Sequence, residues 1–493
     1  MKNTSQTIES LTKSNEILTV TNQDLQLRLD NLEEYIRLLQ RGRFAAKSES
    51  LTHPGMKALF EDELDEQSNE PPKETKVEAH TRTINRKPLP ANLPRQDVVC
   101  DLSEAEKIGP CCQEQMKSSH EKTSEKLHIK PAEFLVKRFI TPVYSCKKCD
   151  QMKQAKMPAH PLPKCSVTLE TLAYLAVDKY IDGMPLHRLE KKFLRGGVEL
   201  GRDKMSRWLI KLSEKIEPIK DLVHAELLNG GVLGMDETSL QVLKEKGRRA
   251  DQKSYMLVQA REGPPGRSIV LFHYEKSRAA LVLDQYLNGF SGSLVTDGLS
   301  SYQTCVGNRV GISHGGCWAH ARRKFADAVK GKKNNTGVAK DAILLIKELF
   351  EIEKSIKGKG ADVIQAARTE KSEPVIKAIE SLWTSRIGLI PRKSLSGKAL
   401  HYLKNQWELL TRFLKDPNLP IHNNFVERQV RPLAVGRRAW LFCDTPAGAQ
   451  ASATFYSLLV TAKENGLDPM DYLIRVFSEI DQCDDLTLLL PFA

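Results

Sequence analysis

The sequence predicts a multidomain protein in which a coiled coil, a small cysteine-containing unit and a helical unit precede an α/β domain with a helical insertion. The chain has 493 residues, which is more than one hydrophobic core usually organises. Leucines recur every seven residues near the N-terminus, as in a coiled coil. Short apolar segments bounded by turn residues begin near residue 230, which is typical of strands.

Composition favours a polyanionic partner. Lys+Arg minus Asp+Glu is 74 − 62 = +12, and the pI is about 9.1; the alternative is a basic protein without such a partner. No segment reaches the ~20 apolar residues of a membrane span, and the N-terminus has no apolar signal-peptide core. We therefore expect a cytoplasmic protein with no membrane partner. The 10 cysteines are scattered along a long chain, unlike those of a disulfide-stabilised secreted domain.

Residues 1–46 are predicted to form a leucine-zipper coiled coil. One heptad position carries leucine throughout, and its companion position carries Asn twice, which in coiled coils fixes register and strand number. The two series are Leu11, Leu18, Leu25, Leu32 and Leu39, and Ile8, Asn15, Asn22, Leu29 and Ile36. The pattern predicts a homo-oligomer; the alternative is an amphipathic helix packed on its own protein.

Residues 47–98, acidic and then proline-rich, are predicted to be a flexible linker. Residues 99–164 are interpreted as a degenerate zinc-finger-like domain. The spacing of Cys146 and Cys149 lets two thiolates meet one Zn²⁺ ion, and Cys112 is a third candidate ligand. Cys111 and Cys112 are adjacent, which suits chelation poorly, so an exposed Cys-x2-Cys turn without metal is the alternative.

Residues 165–226 are predicted to form a helical, helix-turn-helix-like DNA-binding region. Three amphipathic segments are separated by "IDGMP" and by paired glycines. The third segment starts with Arg202, Lys204 and Arg207, which are candidate DNA contacts. An ordinary three-helix packing unit with a basic face is the alternative.

Residues 227–335 and 395–470 are predicted to form the α/β domain, with a helical insertion over 336–394 and a tail over 471–493. Three closely spaced strands predict an antiparallel meander, and the order then continues helix, strand, helix, strand. The insertion has lysine-rich breaks and no strand pattern.

Carboxylates stand at the ends of two of these strands. Asp236 and Glu237 end "GGVLGMDE", and Asp297 precedes a glycine that permits a close approach. Successive strand residues face opposite sides, so only one of the adjacent pair can join a given site. If the strands are neighbours, Asp236 and Asp297 meet, and Mg²⁺ is the natural ion between them. A third carboxylate would allow two metals about 3.5–4 Å apart, an arrangement suited to phosphodiester chemistry.

Each acid also has a structural interpretation. Asp297 fits a turn aspartate before glycine, and Asp236 fits a lysine's ion-pair partner. Asn424-x-x-Glu427 resembles a capping box. Spacing alone leaves these alternatives open.

Several blocks resemble the insertion-sequence 66 family of bacterial transposases, in the family's order and over nearly the whole chain. They are "RKPLPANLPR", "VDKYIDGMPLHRLEKKF", "GGVLGMDET", "VTDGLSSY", "GCWAHARRKF", "NNFVERQVRPLAVGRRAWLF" and "YSLLVTAKENGLDPMDYL". The resemblance implies a ribonuclease H-like catalytic domain in which Asp236, Asp297 and Glu427 hold Mg²⁺ or Mn²⁺. It also implies cleavage at terminal inverted repeats and strand transfer into target DNA, near the nucleoid.

Further residues take expected roles beside these acids. Cys317 and His320 resemble a pair found after the second acid of such enzymes and are expected to support the site. Candidate phosphate or base contacts are Arg322, Arg323, Lys324, Arg428, Arg431, Arg437, Arg438 and Trp440; a solvated basic face is their alternative. The chain departs from the family pattern at Gly109, Gln113 and His422, where the family usually has cysteine, glycine and aspartate. A DNA-binding regulator or inactive relic, and a nuclease that cuts without joining, are the rival functions.

Overall fold

The computed structural model describes residues 95–96, 134–145, 152–154, 157–307, 309–329 and 337–492, and isolated positions between 14 and 36. Residues 64–140 form one compact unit, and residues 1–63 with 141–493 form another. In the first, the described positions have neither helix nor strand. No described helix has the length and apolarity that a membrane crossing requires.

The described residues of the second unit form two sheets. A small antiparallel pair consists of β1 (Val143–Ser145) and β2 (Met152–Gln154). The five strands of the main sheet are β3 (Val232–Gln241), β4 (Lys253–Arg261), β5 (Ile269–Glu275), β6 (Gly292–Thr296) and β7 (Ile312–Gly316). Their order is β5-β4-β3-β6-β7; the first three are antiparallel, and β6 and β7 continue parallel to β3. The predicted meander and mixed α/β unit are confirmed.

The described part of the chain also contains α-helices, some packed on the sheet and some on other helices. They are α1 (Leu169–Tyr180), α2 (Leu186–Arg195), α3 (Arg202–Leu227), α4 (Ala280–Gln285), α5 (Ser300–Val306), α6 (Trp318–Val329), α7 (Val338–Ile356), α8 (Ala361–Ala367), α9 (Glu373–Arg386), α10 (Leu395–Thr411), α11 (Asn424–Trp440), α12 (Pro446–Glu464) and α13 (Pro469–Glu479). Short π and 3-10 segments span Arg368–Ser372, Arg412–Leu414 and Leu486–Leu489.

Local signals explain where several of these helices begin. The Thr445 side chain accepts from the N–H of Gly448, and Pro446 opens α12. Asp468 accepts from two N–H groups at the start of α13, where Pro469 is the first residue. Such caps satisfy N–H groups that have no partner inside the helix.

The three helices over 169–227 share one hydrophobic core with the sheet, α12 and α13. The sequence predicts a domain boundary between this region and the sheet at residue 226. In the structure, the helices before this boundary pack against the sheet. The third predicted helix also runs past Pro218 to Leu227, although a proline disfavours helix at the residue before it. Buried Ile219, Val223 and Leu227 explain the continuation, because their packing outweighs that local preference.

A second hydrophobic core joins the inserted helices to α6 and α10. Its members include Trp318 and Phe325 of α6, Ile346 of α7, Ile379 of α9 and Leu403 of α10. The insertion is therefore packed through the two helices that flank it in the chain.

Candidate active site

Asp236 and Asp297 occupy equivalent positions of two neighbouring parallel strands. Gly234 of β3 is paired with Val295 of β6. Asp236 follows Gly234 by two residues, and Asp297 follows Val295 by two residues. Neighbouring strands lie about 4.8 Å apart. The sheet topology thus brings the two acids together, as expected if their strands were neighbours.

Gly234 allows α11 to pack directly on β3. A Cβ atom at this glycine would lie 2.3 Å from both the Oδ1 atom of Asn423 and a methyl carbon of Val426. The Asn423 amide also donates to the carbonyl oxygen of Met235 at 2.9 Å. Gly234 and Asp236 share a strand face, so this contact brings Glu427 to the side of the sheet that Asp236 occupies.

Glu427 is held by side chains of α6 and its N-terminus. The Arg323 guanidinium lies 2.5 Å from Oε2, and Nδ1 of His320 lies 3.2 Å from Oε1. The Cys317 thiol lies 3.8 Å from Oε1. The N-cap residue of α11 is Asn423, and it makes no side-chain capping bond. The capping-box interpretation of Glu427 is therefore wrong, because its carboxylate faces α6.

The acids interact electrostatically. Burial raises the pKa of Asp236 well above its usual range, and the nearby charges of Asp297, Glu237 and Glu427 raise it further. The N–H of Glu237 opposes this shift by donating to Asp236 Oδ1 at 2.8 Å. Like charges in a buried site repel unless a proton or a cation is shared.

Glu237 has other partners. Its carboxylate accepts from the Tyr302 hydroxyl and from Arg278, each at 2.9 Å. Burial and the nearby charge of Asp297 raise its pKa, and these two donors only partly oppose the shift. Glu237 thus has donors of its own while lying near the other acids, and its role stays a prediction.

The donor sets suit two kinds of cation. Asp236, Asp297 and Glu427 offer only carboxylate oxygens, which are the ligands that Mg²⁺ and Mn²⁺ prefer. Among described residues, the group whose ligand atoms all lie within 4.8 Å of one another is Cys317, His320 and Glu427. Glu427 therefore belongs to both sets.

Most of the basic residues predicted to contact DNA lie at the surface. Arg202, Lys204 and Arg207 are exposed at the start of α3, and Lys324, Arg428 and Arg438 are also exposed. Arg322 and Arg431 are half-buried.

Three other residues predicted to contact DNA are in contact with protein groups. Arg323 is bound to Glu427. Arg437 donates to the Thr238 hydroxyl at 3.1 Å and to the Ser239 carbonyl oxygen. Trp440 is half-buried against the main core, with the Lys179 ammonium 5.8 Å from its ring centroid. Exposed members of the predicted set also have protein partners, since Lys204 donates to the Ser166 hydroxyl at 2.9 Å; the DNA contacts of all of them stay predictions.

Cys112, Cys146 and Cys149 lie outside the described residues. Sequence reasoning missed Asn423, Tyr302 and Arg278. The Asn-Asn pair before "FVER" was a signal for Asn423, whereas nothing in the local pattern marked the other two.

Three family models match the chain. One described as "Transposase IS66 family" covers residues 164–451. Those described as "Transposase C of IS166 homeodomain" and "zinc-finger binding domain of transposase IS66" cover residues 31–98 and 106–150.

Relatives of similar length occur in Sinorhizobium fredii (strain NBRC 101917 / NGR234). The uncharacterized protein y4qI is 32% identical over 489 residues, covering 94% of this chain and 89% of the relative. The uncharacterized protein y4jD is 30% identical over 419 residues, covering 82% and 81%. The uncharacterized protein y4hP is 27% identical over 410 residues, covering 80% and 74%.

Proposed function

Because the chain belongs to the transposase IS66 family, we propose that it cleaves DNA at the ends of an insertion element and joins the freed ends to target DNA. The observation that carries the proposal is the convergence of Asp236, within β3, and Asp297, directly after the parallel neighbour β6, with Glu427 from a helix packed on Gly234. The strand order β5-β4-β3-β6-β7 supports the ribonuclease H-like description of this domain.

Asp236, Asp297 and Glu427 would hold Mg²⁺ or Mn²⁺. When bound, such an ion activates the attacking oxygen and neutralises charge on the phosphate. The contribution of the chain is positioning. The sheet fixes the two aspartates, and Asn423 ties the start of α11 to β3 while its N–H donates to Cys317 Sγ at 3.3 Å. Positioning and charge stabilisation together account for much of the catalysis in such sites.

Exposed cations would bind the DNA backbone. Arg202, Lys204 and Arg207 lie at one end of α3, and Arg428 and Arg438 lie on α11. Contacts of this kind are independent of sequence and weaken with salt. A zinc ion in the segment matched by the zinc-finger model, with Cys146 and Cys149 as ligands, is part of the same proposal.

Self-association would occur through the N-terminal heptads. The described positions between 14 and 36 are helical, and Leu18, Leu25 and Leu32 expose 58%, 52% and 62% of their surface. Exposed leucines at heptad spacing suit a second copy of the same helix. Leu25→Glu with Leu32→Glu should reduce the mass measured by analytical ultracentrifugation, and an unchanged mass would contradict this part of the proposal.

Cleavage of DNA that carries the sequences flanking the gene tests the main proposal. With Mg²⁺, Asp236→Asn should lower the cleavage rate by at least about a hundredfold, the scale for losing one electrostatic group in a catalytic site. Asp251→Asn is the matched control, because its side chain is exposed and paired with Arg249.

Other outcomes select the rival functions. Cleavage that persists unchanged in Asp236→Asn would remove the catalytic role of that residue. Specific binding of the ends by the folded protein without nicking would favour a regulator, and nicking without strand-transfer products would favour a nuclease.

A further inference from the structure

We propose that Cys317, His320 and Glu427 form a second metal site, selective for a thiophilic divalent cation such as Zn²⁺. Occupation of this site would withdraw Glu427 from the carboxylate site. Only this consequence for catalysis rests on the proposed function; the binding itself does not.

The distances fit a tetrahedral ion. With Zn–S near 2.3 Å and Zn–N and Zn–O near 2.0–2.1 Å, neighbouring ligands are separated by about 3.3 Å for N···O and about 3.6 Å for S···O. In the structure, His320 Nδ1 lies 3.2 Å and Cys317 Sγ 3.8 Å from Glu427 Oε1. All three ligand atoms lie within 4.8 Å of one another. Small side-chain adjustments would therefore bring them onto one ion.

Nδ1 of His320 is buried and makes no hydrogen bond with any described residue. It is close to the Glu427 oxygen, but the direction of the contact does not give a hydrogen bond. A buried ring nitrogen without a partner costs free energy. Coordination of an ion by the nitrogen lone pair would remove that cost.

Burial and the nearby Glu427 charge raise the pKa of the Cys317 thiol to about 12, so a bound cation would be needed to hold it as a thiolate, and backbone donors assist. This residue immediately precedes α6, and the N–H groups of Ala319, His320 and Asn423 are directed at its sulfur. A helix N-terminus favours negative charge. On metal binding, the thiol proton would pass to water as the S–Zn bond forms.

Exposure and charge are also compatible with an ion. Cys317 is fully buried, and the His320 side chain is 21% exposed although its Nδ1 atom is buried. Arg323 binds Oε2 of Glu427, which leaves Oε1 for the ion. Thiolate and imidazole ligands select Zn²⁺ over Mg²⁺, so the two metal sites would differ in their preferred cation and share one carboxylate.

A Co²⁺ titration of the full chain, without DNA or Mg²⁺, tests the proposal. Cys146→Ser and Cys149→Ser are present throughout, which removes the other predicted metal-binding pair. This background protein should develop thiolate-to-cobalt charge-transfer absorbance that Zn²⁺ abolishes. Cys317→Ser should remove the band. His320→Gln should weaken Co²⁺ binding at least about tenfold, since loss of even an outer-shell partner costs about 10–100-fold.

Cys483→Ser is the matched control and should leave the titration unchanged, because that thiol donates to the Asp485 carbonyl oxygen instead. Thermal unfolding followed by circular dichroism verifies that each variant is folded; if Cys317→Ser is not, His320→Gln decides. A band retained in Cys317→Ser, binding unaffected by His320→Gln, or no Co²⁺ uptake by the folded background protein would overturn the proposal. Co²⁺ uptake by a chain that never cuts DNA would leave this site standing and remove only the transposase proposal.

Discussion

At the scale of single residues, two adjacent carboxylates on one strand have different partners. Asp236 lies near Asp297 and Glu427, whereas Glu237 accepts hydrogen bonds from Tyr302 and Arg278; the charge of Asp297 acts on both acids. Strand alternation predicts that adjacent side chains face opposite sides. Only the tertiary contacts identify the partners on each side.

His273 on β5 is a buried titratable residue whose protonation is expected to affect stability. Burial lowers its pKa well below the usual range, and the neighbouring Lys220 and His224 lower it further. Its Nε2 atom has no hydrogen-bond partner among described residues, and the Tyr286 ring lies 4.2 Å away between centroids. The folded protein thus holds His273 neutral in a pH range where the unfolded chain takes up a proton.

We expect the free energy of unfolding to fall as the pH is lowered below about 6.5, by at most about 1.4 kcal/mol per pH unit for this one group. The sign follows from the lowered pKa, because the unfolded state binds the proton first. Urea unfolding between pH 7.5 and 5 should show a shallower pH dependence for His273→Gln than for the wild type. The exposed His187→Gln is the control, and identical slopes for all three proteins would contradict the expectation.

At the scale of elements, α12 takes the place of a sixth strand beside β5. The Ser457 hydroxyl accepts from the Phe272 N–H at 2.8 Å, and the Thr461 hydroxyl bonds both the N–H and the carbonyl oxygen of Val270, at 3.0 and 2.8 Å. Asn465 continues the series with the backbone of Ser268 at 2.8 Å. These residues are four apart, so they lie on one helix face. They satisfy an edge that would otherwise pair with another chain.

Thr461→Val should destabilise the protein by about 1–3 kcal/mol, because an isosteric side chain leaves the buried backbone groups of Val270 unpaired. Denaturant unfolding measures the loss, and faster hydrogen exchange at the Val270 amide would locate it. Thr384→Val is the control, since that exposed hydroxyl bonds only within its own helix. Equal stabilities of the two variants would show that the hydroxyl contacts do not support β5.

At the scale of the whole molecule, Arg368 fastens the inserted helices to the segment that leads to Glu427. It is 2% exposed and binds both oxygens of Glu353, at 2.8 and 2.7 Å. Its other N–H groups donate to the carbonyl oxygens of Phe413, Asp416 and Leu419. All five donors of the guanidinium are thus used.

The fastened segment reaches the active site within a few residues. Leu419 packs on Gly315 of β7, where a Cβ atom would lie 2.5 Å from a leucine methyl carbon. The Ile421 carbonyl oxygen accepts from the N–H of Trp318 at 2.8 Å. The next residues begin α11, so the insertion helps to fix the position of Glu427.

Arg368→Met should lower the free energy of unfolding by up to about 3–5 kcal/mol, because the partly buried Glu353 carboxylate loses its partner. Arg368→Lys should recover only part of this, since an ammonium cannot reproduce the guanidinium fork. Lys377→Met, which breaks an exposed pair with Glu373, should cost less than about 0.5 kcal/mol. Urea unfolding compares the three variants. Equal losses of unfolding free energy in Arg368→Met and Lys377→Met would contradict this role of Arg368.

The sequence by itself determined the order of the strands along the chain, the acid that follows β6 and the family, which the matched models confirm. These features are local, because period-two apolar patterns, turn residues and contiguous motifs lie within short segments. The prediction that Asp236 ends its strand is wrong, because pairing with β4 continues β3 to Gln241.

Tertiary structure decided the contacts between distant segments. Arg323 and Glu427 are 104 residues apart, and Val270 and Thr461 are 191 apart. Such contacts decided the partners of two arginines, since Arg323 binds Glu427 and Arg437 binds the Ser239 carbonyl oxygen. They also decided the shared core of α1–α3 with the sheet and the Cys317–His320–Glu427 cluster. Which side chains share a site depends on packing between elements, and no local pattern in the chain records that packing.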